Sequence, residues 1–185
     1  MDQAFLAKIK NLTPGINDLN SFMDADEEMS VIADYIKKHN QHNEYIEVKR
    51  IKFLYSPKPK KDGSRYNIFD LFKRTEMDKM INDQYDFILT VFYDVWSQIT
   101  PEQKIITLDK ALCGIDLSSS NDLAEAKPKK KSPDSKEYTA NMHMYGAEKV
   151  LNISETIDIK CQSAIEDRKE KEKNKKVAET ANDLD

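Results

Sequence analysis

The thirty residues from Tyr85 to Gly114 constrain this chain more than any other part. Phe87, Ile88, Leu89, Val91 and Phe92 form an almost unbroken apolar run, the pattern of a central strand covered on both faces. A helix start follows. Thr100 is placed to cap it, Pro101 fills the first helical position, where a missing N–H costs nothing, and Gln103 completes a capping box. Ile105, Ile106, Leu108, Ala111 and Leu112 then repeat at helical spacing up to Gly114. A strand buried on both faces needs apolar cover, so the rest of the chain must supply further strands and helices.

It does so in alternating pieces. Phe5, Leu6, Ile9 and Leu12 predict a helix over residues 2–12, ended by Pro14-Gly15. Residues 24–39 predict a second. Asp24, Asp26, Glu27 and Glu28 lie at its start, Lys37, Lys38 and His39 at its end, and Met29, Ile32, Ala33 and Ile36 form its stripe. Residues 46–55 alternate as a strand with one slip near Lys49-Arg50, where a bulge fits. A basic turn from Ser56 to Arg65 leads to a return strand over 66–72, and Thr75 to Asn82 suits a short helix. Residues 137–151 carry no decisive pattern. From about Ser154 a stripe of Ile157, Cys161, Ala164 and Ile165 predicts a helix. Residues 166–185 hold seven acids and six bases and almost nothing to bury. They are a solvated helical extension or disorder.

The expected fold is therefore α+β: a small mixed or antiparallel sheet of about three strands (46–55, 66–72, 85–93) packed by helices, with a charged C-terminal tail. The 100–114 helix should be the central packed one. The expected organisation is an N-terminal helical segment (1–43), an α+β core (44–116), a basic low-complexity loop (117–136), the rest of the core (137–165) and the tail (166–185).

Composition excludes several functions. With 34% charged and 39% hydrophobic residues the chain is polar for its length, and its net charge of −4 argues against a dedicated nucleic-acid binder. Neither GxxxxGK[ST] nor GxGxxG occurs, so no phosphate-loop nucleotide fold is expected. The longest apolar run, Phe87 to Tyr93, is too short to span a bilayer, and the N-terminus lacks the features of a signal peptide. Cytoplasmic residence is the expectation, with Cys113 and Cys161 reduced.

In order and spacing, the 85–114 unit resembles the putative phage metallopeptidase family. The shared pieces are the strand entered by Tyr85-Asp86-Phe87, Trp96, the Thr100-Pro101-Glu102-Gln103 helix start and the Asp109 to Gly114 stretch. Ile51 to Ser56 and the Lys-rich turn after it are also similar, so the resemblance covers roughly residues 46–116 and extends more weakly to about 152. The family carries Asp-His-Glu-Leu-Cys-His where this chain has Asp109-Lys110-Ala111-Leu112-Cys113-Gly114. Two His at i and i+4 hold zinc on one helix face, and the Glu between them is general base on the metal-bound water. Laid on that pattern, Lys110 and Gly114 replace the two His and Ala111 replaces the Glu. Asp109, Leu112 and Cys113 remain. The resemblance thus implies the fold without the reaction: a metallopeptidase-like pseudoenzyme with no metal and no cofactor, working in the bacterial host cytoplasm.

His39 and His42 have metal-compatible spacing, but a polar helix end explains them. Cys113 reads as a small buried thiol, with a relocated metal site at His143 and Cys113 as the enzymatic alternative. Lys58, Lys60, Lys61 and Arg65 form one basic cluster. Lys127, Lys129, Lys130 and Lys131, with Lys136, form another. Brought together they would make a basic patch for phosphate groups or an acidic partner. Three readings result: a non-catalytic binder of a host or phage protein, a nucleic-acid-associated protein using the two lysine clusters, and a residual enzyme. No membrane partner is expected.

Overall fold

The structure, a computed structural model, describes residues 2–63, 65–81, 85–116, 129–133 and 137–182. Helix α1 (Gln3–Leu12) opens the chain, capped by Asp2, whose carboxylate accepts from Ala4 N at 2.9 Å. A two-residue strand β1 (Met23–Asp24) precedes helix α2 (Asp26–His39). Two single 3-10 turns, Gln41–Asn43 and Val48–Arg50, lead to strand β2 (Ile51–Ser56). The hairpin of β3 (Lys60–Asp62) and β4 (Arg65–Asn67) turns at Gly63, whose φ of 60° suits glycine. Strand β5 (Phe69–Lys73), helix α3 (Glu76–Ile81), strand β6 (Phe87–Phe92), helix α4 (Tyr93–Trp96) and helix α5 (Pro101–Leu112) follow. Short strands β7 (Ile115–Asp116) and β8 (Lys129–Lys130) pair with each other. Helix α6 (Thr139–Tyr145) stops at Gly146, whose φ is 89°, and α7 (Ala147–Asn182) closes the fold.

The main sheet has the order β1-β2-β6-β5. Strands β2 and β6 run parallel, with Ile51 opposite Phe87 and Tyr55 opposite Val91, while β1 and β5 add antiparallel edges. The fold is α+β and the sheet mixed, and β6 is an inner strand as its apolar run requires. Three local expectations change. The strand expected from residue 46 starts at Ile51, because Val48–Arg50 closes a turn with Arg50 N on Glu47 O at 2.8 Å; the slip is a turn, not a bulge. The segment 66–72 divides between two sheets: β4 pairs with β3, and β5 with β6. Asp24 belongs to β1, so α2 starts at Asp26.

Helix α5 begins with the expected capping box: Gln103 N donates to Thr100 Oγ1 at 3.2 Å and Thr100 N to Gln103 Oε1 at 2.9 Å. It packs on α1, α2, α6, α7 and β5. Its central contact is polar. Lys104 Nζ lies 2.8 Å from Glu28 Oε1 on α2, and both side chains are almost fully buried. Trp96 Nε1 donates to the other oxygen of Glu28 at 2.9 Å, and the Tyr55 hydroxyl donates to it as well. Burial and the Glu28 charge raise the Tyr55 pKa. Burial lowers that of Lys104 against the pull of Glu28.

Helix α7 buries Val150, Ile153, Ile157 and Cys161, and farther along Arg168 ties it to Asp94 at 2.5 and 2.7 Å and to Leu19 O at 3.2 Å. Beyond Arg168 the backbone stays helical to Asn182. No helix among the described residues is long and apolar enough to cross a membrane.

Two outcomes test this account. Lys104→Met leaves the buried Glu28 carboxylate without its cation and should cost about 3–5 kcal/mol in urea unfolding. Asp86 is the second case. Burial pushes its pKa up, but Arg50, at 2.8 Å, and Lys79, at 2.6 Å, outweigh burial and hold it below the ordinary range. A depressed carboxylate stabilises the fold above its unfolded pKa of about 3.9 and loses that contribution as pH falls through the folded value. The stability gap between the wild type and Asp86→Asn should therefore be constant near neutrality and close below about pH 4.

Candidate functional site

One-residue steps along α5 turn a side chain by about 100°. The end of this helix therefore serves two different surroundings. Thr107, Lys110, Ala111 and Gly114 face a cleft of about 920 Å³. Asp109 and Cys113 face away from it, toward residues 40–43 and helix α6.

The cleft is walled by Phe69 and Leu71 of β5, by the β3–β4 hairpin, by residues 130–133 and by α7. Lys110 stands on its floor. Its ammonium is 2.7 Å from Glu137 Oε1 and 3.0 Å from Ser154 Oγ, and Ser154 donates to the same Glu137 oxygen at 2.6 Å. Glu137 is 3% exposed, so its carboxylate needs a cation close by. Asp158 on α7 accepts from Tyr66 N at 2.9 Å and so fixes the hairpin against the helix.

The fold brings part of each basic cluster to this one cleft. Lys60 and Arg65 line it from the hairpin, Lys130 and Lys131 from the other side. Lys60 is also paired with Asp70 at 2.7 Å. Lys58 and Lys61 are exposed on the same hairpin segment, and Lys129 is exposed on β8, but none of the three lines the cleft. Lys127 lies outside the described residues.

On the opposite flank, Asp109 is wholly buried. Its Oδ1 accepts from Asn43 Nδ2 at 2.5 Å and lies 3.3 Å from His42 Nε2, and its Oδ2 accepts from Asn141 Nδ2 at 3.0 Å. The Cys113 thiol lies 3.9 Å from the same Asn43 nitrogen. Burial, then the Asp109 charge, push that thiol up to about 12. Tyr145, raised by burial and by Asp109, accepts from Asn40 Nδ2 at 2.8 Å. Of the histidines singled out in the sequence, His39 stacks on Tyr35 and His143 is exposed on α6. The histidine that joins Cys113 is His42, not His143. Spacing within His39-Asn40-Gln41-His42 could not reveal this, because the partners, Asp109 and Cys113, come from the far end of α5.

A family model described as putative phage metallopeptidase matches residues 20–158. The chain belongs to this family. The match spans β1 through the first turns of α7 and so takes in both flanks of α5. No curated protein and no solved structure matches the chain.

The resemblance places the family's metal ligands and base at Lys110, Ala111 and Gly114. The residues present there do not fit a metal. Lys110 is already a cation, bound to Glu137. A Cβ on Gly114 would lie 3.0 Å from Ala111 O, 3.1 Å from the Tyr138 hydroxyl and 3.4 Å from Leu71 Cδ2, so the space for a side chain is filled. The Tyr138 hydroxyl is itself held, donating to Lys131 O at 2.7 Å. Gly114→Ala should therefore destabilise by about 1–3 kcal/mol in urea unfolding, as overpacking does, and Gly114→His by more. A neutral or stabilising Gly114→His would show that the position still accepts a ligand side chain.

Proposed function

We propose that this member of the putative phage metallopeptidase family is a non-catalytic, phage-encoded protein that binds an acidic segment of a host or phage protein in the bacterial cytoplasm. The observation that carries the reading is the Lys110–Glu137 pair on the floor of the cleft. A protonated amine at that place binds no dication, and Ala111 offers no general base. What remains is a groove with recognition chemistry. Five cations (Lys60, Arg65, Lys110, Lys130 and Lys131) line it against three carboxylates (Glu137, Glu155 and Asp158). Strand β5 ends the main sheet and adds Phe69 and Leu71 to the wall. Apolar anchors beside exposed cations suit an extended peptide that carries both apolar and acidic residues.

Nucleic acid is the second reading, favoured by the convergence of the two lysine clusters on one cleft. Aromatic stacking platforms would be expected beside such a cleft if single strands were bound, and among the described residues only Tyr66 and Tyr138 line it with Phe69.

The test is a fluorescence-anisotropy titration with acidic and basic peptide pools and with single- and double-stranded oligonucleotides. Acidic peptides should bind, remain intact on prolonged incubation with zinc, and bind equally well with a chelator. The double charge reversal Lys130→Glu/Lys131→Glu should weaken binding about tenfold or more, since exposed ion pairs contribute about 0.2–1 kcal/mol each and reversal adds repulsion. Peptide cleavage that the chelator abolishes would refute the non-catalytic reading. Oligonucleotide binding that collapses steeply with salt, without peptide binding, would transfer the cleft to nucleic acid.

A further inference from the structure

We propose that His42, Asp109 and Cys113 form a binding site for a borderline-soft divalent metal ion such as Zn²⁺, on the flank of α5 opposite the cleft. The two flanks share no ligand residue, so the site stands or falls independently of the cleft's function.

One imidazole nitrogen, one carboxylate oxygen and one sulfur all lie within 4.8 Å of one another. Ligand atoms about 2.0–2.3 Å from a tetrahedral zinc lie roughly 3.5 Å apart, so small side-chain shifts close the set. Asp109 and Cys113 are four residues apart on one helix face, the spacing that lets one helix present two ligands to one ion. His42 comes from the 3-10 turn Gln41–Asn43, packed against that face.

Asn141 is fully buried and donates to Asp109 Oδ2 and, at 3.3 Å, to Ile106 O, while its own Oδ1 has no partner among the described residues. Its position serves the carboxylate at the expense of its own hydrogen bonding. That is how an outer shell orients a ligating oxygen. Asn43 places its amide nitrogen within reach of both Asp109 Oδ1 and Cys113 Sγ, a polar donor between the carboxylate and the thiol. A cation there would take over that role.

A sulfur, an imidazole and a single carboxylate suit Zn²⁺ or Co²⁺ and not Mg²⁺ or Ca²⁺, which need oxygen shells. The His42 side chain is 23% exposed and provides the path to solvent. Binding releases the Cys113 thiol proton to solvent and leaves a metal–thiolate bond. Three protein ligands leave the fourth position to water.

The experiment is a Co²⁺ titration of the untagged full-length protein, stripped with chelator, followed by absorbance and with folding checked by circular dichroism. The expected result is a thiolate-to-cobalt charge-transfer band that saturates at one ion per chain and disappears on adding Zn²⁺. Cys113→Ser should abolish the band, His42→Gln should weaken binding at least tenfold, and Cys161→Ser should leave it unchanged. His42 is partly exposed, so its variant keeps the test valid if Cys113→Ser does not fold. A folded wild type without the band, or a band that survives in folded Cys113→Ser, overturns the proposal.

Discussion

The Glu28 carboxylate is the point on which the packing of this protein depends. It is buried on α2 and receives Lys104 from α5, Tyr55 from β2 and Trp96 from α4, while the Thr13 hydroxyl donates to it at 2.7 Å from the end of α1. Five elements thus meet at two oxygen atoms. A buried charge without partners would cost several kcal/mol, so the fold tolerates Glu28 only in the arrangement that brings all these donors to it. Alternative packings of the same apolar stripes would strand the charge. The network therefore selects one docking angle of α2 on α5, and that angle sets where the far end of α5 lies. Lys104 also sits 5.0 Å over the Trp96 ring, which gives its cation a second favourable neighbour.

Because α5 is held on every side, its last two turns can hold different chemistry on each flank. Lys104 and Leu108 face the core, Lys110 and Gly114 the cleft, and Asp109 and Cys113 the N-terminal segment. A substitution on one flank leaves the others in place. Lys110, Ala111 and Gly114 could thus replace a different set of residues without disturbing the buried pair at Glu28 or the polar cluster around Asp109. The cluster around Asp109 has its own structural role: it joins α5 to residues 40–43 through Asn43 and to α6 through Asn141.

The sequence was most legible where local signals and burial agreed. The 87–92 strand and the 101–112 helix followed from an unbroken apolar run and a capping box, and the structure has both. The α+β class followed from them. Boundaries failed where tertiary contacts outweighed the local pattern. Alternation from Ile46 looked like a strand, yet Ile46 and Val48 are buried by a turn instead. Asp24 looked like helix because it is acidic, but it pairs across to Leu54 in a sheet. The convergence of Lys60, Arg65, Lys130 and Lys131 was foreseeable only as a condition, because nothing local places two loops side by side. The His42–Asp109 contact was not legible at all. A histidine just past one helix and an acid inside another carry no mark of their pairing; only the docking of α2 on α5 creates it.

The floor of the cleft has an electrostatic logic that does not depend on what the cleft binds. Glu137 is almost fully buried, and its carboxylate demands positive charge within a few ångströms. Lys110 supplies it from α5, and Ser154 adds a hydrogen bond from α7. One carboxylate thus joins the central helix to the long C-terminal helix across the base of the groove. The Lys110 cation is covalently part of the chain, and its pairing with Glu137 ties the base of the cleft together. The pair is structural in its own right, while Arg65, Lys130 and Lys131 along the same groove remain exposed.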